Sequence, residues 1–142
     1  MLLFLHFLPG EQSLLKRAAE NLEVAHRCSF KTGPQGLIEL AENRLTTSIN
    51  EKFPAVIFLN ADSEEHLASL KTLKTHDILN RIPVVCLGYP KTHKEVVSLY
   101  EAGANSFIEK PTDFETMMKV SATALSYWLD TTLLPSAHLE DL

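Results

Sequence analysis

Apolar residues in this chain fall into short unbroken runs, separated by stretches in which they recur at every third or fourth position. The run Ala55-Val56-Ile57-Phe58-Leu59 has no polar alternation and ends at Asn60, as expected of a strand covered on both faces in a parallel sheet. Leu2 to Leu8 is an earlier apolar run, broken by His6, closed by Pro9-Gly10 and followed by Leu14, Leu15, Ala18 and Leu22 at helical spacing. Leu22 to Phe30 mixes apolar residues with Glu23, His26 and Arg27, which suits a half-exposed edge strand. Gly33-Pro34 then opens a second helix with Leu37, Leu40, Ala41 and Leu45 on its inner face.

Beyond the central run, Asp62-Ser63-Glu64-Glu65 has capping-box spacing and predicts a third helix with Leu67, Leu70 and Leu73 inward. Ile82-Pro83-Val84-Val85-Cys86-Leu87 is another buried strand, its proline near the start where a missing N–H costs least, and Gly88-Tyr89-Pro90 ends it. Thr92 to Ala102 reads as a fourth helix carrying Val96, Val97 and Tyr100, with Gly103 where a left-handed residue is wanted. Ser106-Phe107-Ile108 is a short last strand. Thr112-Asp113-Phe114-Glu115 repeats the capping logic before a long helix lined by Phe114, Met118, Leu125 and Leu129. Strand and helix thus alternate through the chain, which predicts a doubly wound α/β sandwich with ligands and chemistry at the carboxyl ends of the strands.

Length and composition narrow the functional classes. The 142 residues suit one domain, placed at 1–135, with 136–142 as a flexible tail. A hydrophobic share of 45%, a charged share of 22% and a net charge of −5 describe an ordinary soluble globular protein. No basic run marks a nucleic-acid surface, and no apolar run approaches the ~20 residues that span a bilayer. The start lacks the basic flank of a signal peptide, so a cytoplasmic protein is expected. Cys28 and Cys86 lack C-x-x-C spacing and read as buried thiols. The six histidines show no ligand spacing, and neither a nucleophile elbow nor a phosphate-cradling glycine loop is present. No metal and no cofactor is expected.

Glu101-Ala102-Gly103-Ala104-Asn105-Ser106-Phe107-Ile108-Glu109-Lys110-Pro111 is similar to the G-A-x-x-[FY]-[ILV]-x-K-P signature of the receiver domains of two-component response regulators. Ile82-Pro83-Val84-Val85 fits their fourth strand, and Tyr127-Trp128 with Leu133-Leu134-Pro135 looks like the ending of a single-domain subclass that includes partners of phytochrome-type kinases. The resemblance covers nearly the whole chain and implies a flavodoxin-like (βα)5 fold with strand order 2-1-3-4-5. It implies signal transduction by phosphoryl transfer from a kinase histidine to an aspartate after the third strand. A Mg²⁺ would be held there with an acidic pair after the first strand, and a Ser/Thr after the fourth strand would bind the phosphoryl oxygens together with the K-P lysine. The K-P peptide is usually cis in such domains, so Lys110-Pro111 is expected to be cis.

This chain departs from that set at nearly every position. Asn60 stands for the acceptor, Phe7 and Leu8 for the acidic pair, and Gly88 for the hydroxyl residue, leaving only Lys110. The loop between Asn60 and Ile82 also lacks the usual Pro-Gly turn. An amide is no phosphoryl acceptor, and Mg²⁺ normally needs carboxylates that Phe7 and Leu8 do not supply. The expected protein is therefore a pseudo-receiver and not an enzyme, with the Lys110 ammonium bonded to the Asn60 side-chain oxygen or to nearby carbonyls. Asp62 is accounted for as a helix cap. Phe107 matches the family's switch aromatic, here without its hydroxyl trigger. Protein partners, a signalling kinase or a downstream effector, are expected on the face from Thr92 to Trp128, with Tyr100, Tyr127 and Trp128 as anchors and a homodimer as one outcome. The other readings are a phosphoacceptor with a shifted site and a small-ligand sensor whose pocket is lined by Phe7, Asn60, Gly88 and Lys110.

Overall fold

The computed structural model describes residues 2–42 and 53–131. Strands β1 (Leu2–Leu5), β2 (Cys28–Lys31), β3 (Val56–Asn60), β4 (Val84–Gly88) and β5 (Ser106–Glu109) form one parallel sheet in the order β2-β1-β3-β4-β5. Helices α1 (Pro9–Asn21), α2 (Gln35–Glu42), α3 (His66–Thr75), α4 (His93–Glu101) and α5 (Phe114–Ser126) follow the strands in turn. This is the doubly wound, flavodoxin-like arrangement that the strand and helix pattern and the resemblance anticipate.

Successive side chains in a strand point to opposite faces, and the unbroken apolar runs supply both faces with core. Leu3, Leu5, Ile57, Leu59, Val84 and Cys86 pack with Leu37, Leu70, Leu73 and Leu99, so one core layer lies between the sheet and α2, α3 and α4. Leu2, Phe4, Val56, Phe58, Val85 and Leu87 pack with Leu15, Ala18, Met117 and Leu125 beneath α1 and α5. On that second face the Phe4 ring stacks between Phe30 and Phe58, with centroids 4.7 and 5.0 Å away. Full burial of each such side chain contributes on the order of 1.5–3 kcal/mol.

Several boundaries differ from the sequence pattern, and each has a local cause. β1 stops at Leu5 because His6 takes φ +66°, turning the chain toward the sheet end while its N–H still donates to the Lys31 carbonyl at 3.1 Å. Leu22 caps α1 and a turn of 3₁₀ helix occupies Ala25–Arg27, which delays β2 to Cys28. α3 begins at His66 with Glu65 at its cap, so Asp62 is not the capping residue. In α5 the cap is Asp113, which accepts from the Thr116 N–H at 2.8 Å. That phase leaves Phe114 exposed and turns Met117, Ser121, Ala124 and Leu125 inward. In α4, Leu99 faces the core, while Val97 and Tyr100 are exposed.

The Lys110–Pro111 peptide is trans, not cis; the lysine reaches its acceptors in that geometry. Leu45 lies outside the described residues, and so do the boundary at 135 and the tail expected beyond it.

Gly103 closes α4 at φ +109°, where a Cβ would stand 2.6 Å from Lys74 Cγ and 2.8 Å from Lys74 Cβ. Backbone strain and collision act together there, so Gly103→Ala is expected to cost ~1–3 kcal/mol, read as a lower urea midpoint with an unchanged slope. An unchanged midpoint would show that the helix end relaxes freely.

Candidate functional site

The carboxyl ends of β1, β3, β4 and β5 meet in an open cleft whose centre is a buried ammonium. Lys110 follows β5, and its N–H donates to the Gly88 carbonyl at 2.8 Å, which extends the β4–β5 ladder and sends the side chain across the sheet end. The side chain is only 2% exposed. Its Nζ donates to Glu11 Oε2 at 2.6 Å, to Asn60 Oδ1 at 2.7 Å and to Asp62 Oδ2 at 2.9 Å. An ammonium has three N–H bonds and no acceptor capacity, so these oxygens use all its donors. The Phe7 and Tyr89 rings lie 5.5 and 5.3 Å from Nζ, close enough for cation–π attraction.

Each acceptor is itself fixed. Asn60, the last residue of β3, is buried; its Nδ2 donates to the His6 carbonyl at 3.0 Å and its Oδ1 also accepts the Asp62 N–H at 3.1 Å. Glu11 sits in the first turn of α1, and its Oε1 accepts the Leu8 N–H at 3.1 Å. One oxygen caps the helix while the other holds the lysine. Asp62 accepts the Tyr89 N–H with both oxygens, at 3.1 and 3.2 Å, and Lys91 Nζ stands 3.4 Å from Oδ1. Burial opposes ionisation of Asp62, but the bonds from Lys110 and Tyr89 and the charges of Lys110 and Lys91 outweigh it, holding its pKa below the ordinary value of 3.8.

Phe7 is buried in the core beneath α1 and α5, edge-on to Phe4 with centroids 6.1 Å apart, and Leu8 is exposed at the start of α1. Neither side chain offers an oxygen to the cleft. Gly88 ends β4 beside Asp62. A divalent cation, implied by the resemblance, does not fit here: the two nearby carboxylates, Glu11 and Asp62, are both tied to the ammonium, which already stands between them. The expectation of a cleft without acids is thus corrected. Its acids come from two other positions and neutralise lysine.

The remaining residues lie apart from the cleft. Phe107 is half-buried against the core beneath α3 and α4, and its N–H donates to the Tyr100 hydroxyl at 3.0 Å. Tyr127 is 50% exposed, whereas Trp128 is half-buried against the other core layer, edge-on to Tyr127 at 5.3 Å. His6 is held by Ser69 Oγ at 2.8 Å and lies 3.6 Å from Glu65; burial lowers its pKa, partly countered by Glu65. Among the described residues no cluster of three or more His, Cys, Asp or Glu forms a metal-binding set. Burial pushes the Cys86 thiol up to about 12, which leaves it inert at neutral pH.

Sequence reasoning missed Glu11, Lys91 and the Tyr89 N–H. The one available signal was that Glu11 stands three residues after Leu8, the spacing by which a first-turn carboxylate reaches back to the cap N–H.

No family model matches the chain. Over 79 residues it is 30% identical to response regulator Rcp1 of Synechocystis sp. (strain ATCC 27184 / PCC 6803 / Kazusa), a match covering 56% of this chain and 54% of that protein. The chain thus spans about half the length of the relative it matches. Among solved structures, response regulator RPA3017 in red light signalling of R. palustris superposes with a TM-score of 0.77 at 14% identity, covering 95% of this chain and 97% of that one. The phosphorylated cyanobacterial phytochrome response regulator RcpA gives 0.76 at 24% identity over 95% and 98% of the two chains. The Mn(2+)-bound form of Rcp1 gives 0.72 at 22%, with the same coverage. These likenesses establish the receiver fold.

The Asp62 network sets a pH dependence with a definite sign. A carboxylate whose folded pKa lies below its unfolded value contributes stability that is fully present above the unfolded value and lost as pH falls through the folded one. The stability difference between wild type and Asp62→Asn is therefore expected to hold near neutrality and to shrink as pH falls below 3.8, measured by urea unfolding. A difference that stays constant to the acid limit would mean that Asp62 is not held ionised by the lysines.

Proposed function

We propose that the chain is a receiver-like signalling protein of the two-component response-regulator type, a reading supported by its partial likeness to Rcp1 and by its receiver fold, and that it works without phosphorylation, by protein contacts from a cleft whose charges are already balanced. The observation that carries this reading is the Lys110 ammonium, whose three donors are taken by Glu11, Asn60 and Asp62. Phosphoryl transfer to a side chain needs a nucleophile and charge neutralisation of the transferred group. At the acceptor position the Asn60 amide supplies no nucleophile, and the cleft's buried cation has no free donor.

The partner-binding reading rests on the opposite side of β5. Tyr100 and Tyr127 leave about half their surface exposed on α4 and at the end of α5, and the Tyr100 hydroxyl fixes the outer edge of β5 through the Phe107 N–H. Exposed aromatic rings on ordered elements suit anchoring contacts to a protein partner, whether a kinase, an effector or a second copy. Among the described residues no helix is long and apolar enough to cross a membrane. The domain acts in one state, its Phe107 half-buried against the core and not coupled to a hydroxyl at Gly88.

Incubation of the intact chain with a radiolabelled small-molecule phosphodonor and Mg²⁺ is expected to leave it unlabelled. Stoichiometric acid-labile label would overturn the reading, and its loss in Asp62→Asn would identify a shifted phosphoacceptor. For the contact face, multi-angle light scattering and a pull-down with the intact chain are expected to lose a dimer or a captured partner together when Tyr100 and Tyr127 are changed to Ala. Assembly that is indifferent to both changes would place the contact elsewhere.

A further inference from the structure

We infer that the cleft is an oxyanion cradle permanently occupied by the protein's own Asp62 carboxylate, a tethered ligand where a free anion would otherwise bind. The inference deepens the proposed function and rests on it for its meaning in signalling, but its geometry stands separately. Donors converge on the Asp62 carboxylate from two strand ends: the Lys110 ammonium after β5, and the Tyr89 N–H and Lys91 ammonium after β4. A backbone N–H bonding both oxygens, flanked by ammonium groups, is a common way for proteins to hold a small oxyanion.

The local charges support the same conclusion. Lys91 and Lys110 carry two positive charges and Glu11 and Asp62 two negative ones, which sum to zero. Removing the Asp62 carboxylate leaves a net charge of +1, a backbone N–H without its acceptor and one ammonium proton of a nearly buried lysine without a partner. An unpaired buried donor is costly, so the vacated cradle should draw a small oxyanion from solution.

Gly88 has a steric reason in this account. A Cβ there would stand 3.1 Å from Asp62 Oδ1, 3.1 Å from Ala61 Cβ and 3.1 Å from Lys91 Cε. Any side chain at this position, a hydroxyl residue included, crowds the tethered carboxylate and the stem of its second lysine. The missing hydroxyl and the inserted carboxylate are one structural change: the space of the first accommodates the second.

The test uses the full chain and inorganic phosphate or acetate as the probe, against chloride at matched ionic strength, with thermal unfolding followed through Trp128. Wild type is expected to show only the general, non-saturating salt effect in phosphate and acetate, because its cradle is filled. Asp62→Ala is expected to melt lower in chloride and to recover saturably with phosphate or acetate, since a ligand of the native state stabilises it by mass action. Recovery with phosphate alone would assign the cradle to tetrahedral oxyanions, and recovery with either to oxyanions generally. The double variant Asp62→Ala, Lys110→Met should lose the rescue, which excludes a general salting effect.

If Asp62→Ala does not fold, Asp62→Gly is titrated with phosphate while the Tyr89 amide is followed by NMR. A saturable shift is expected there. Absence of rescue in Asp62→Ala, rescue that persists without Lys110, or an unmoved Tyr89 amide would each overturn the inference. An unlabelled wild type with no rescue in the variants would leave the proposed function standing and remove only the cradle. Labelling of wild type by the phosphodonor would remove the function first.

Discussion

A buried ammonium must find acceptors, and the geometry of this fold's working end follows from how Lys110 finds its own. An ion taken out of water without partners costs several kcal/mol, so the carboxyl ends of β3 and β5 and the first turn of α1 are brought together around one nitrogen. Asp62 passes the constraint on to the start of the β4–α4 loop, through the Tyr89 N–H and Lys91. The result is a closed set of charge-assisted bonds rather than a receptive pocket. An incoming anion has to displace a carboxylate that is already tethered in place.

Seen this way, the substitutions at the cleft form a coherent set. Asn60 keeps the hydrogen-bonding capacity of an acceptor side chain but not its nucleophilicity, and it bonds the His6 carbonyl and the lysine at once. Phe7 moves from the cleft into the core and offers only its ring face to the ammonium. Glu11 and Asp62 then supply the negative charge from positions where it compensates a lysine instead of a metal. On β5, Phe107 is half-buried against the core beneath α3 and α4 with its N–H held by the Tyr100 hydroxyl.

Much of the fold was legible in the sequence because both faces of the sheet are buried. The uninterrupted runs around Val56–Leu59 and Val84–Leu87 leave little choice of element, and Gly103 marked a helix end correctly. Boundaries were less legible where one residue overrides the pattern, as His6 does by adopting a positive φ inside an apolar run. Lys110 was expected to meet Asn60, and it does. Glu11 was given no role from the sequence, and Asp62 was accounted for as a helix cap. For Asp62 that role was wrong: the helix starts four residues later and the side chain is free to turn to the lysine. The pairing of Glu11 with Lys110 joins residues 99 positions apart, a separation at which spacing carries no information.

The central claim is that the cleft's charges are satisfied from within, so that a phosphoryl-like group has no place to bind. The most direct measurement is a titration of the ¹⁵N-labelled chain with beryllofluoride and Mg²⁺, following the backbone amides of Tyr89, Phe107 and Lys110 and the Lys110 ammonium. The account predicts resonances that stay in place throughout. Saturable, Mg²⁺-dependent shifts that converge on Asn60, Tyr89 and Lys110 would contradict it.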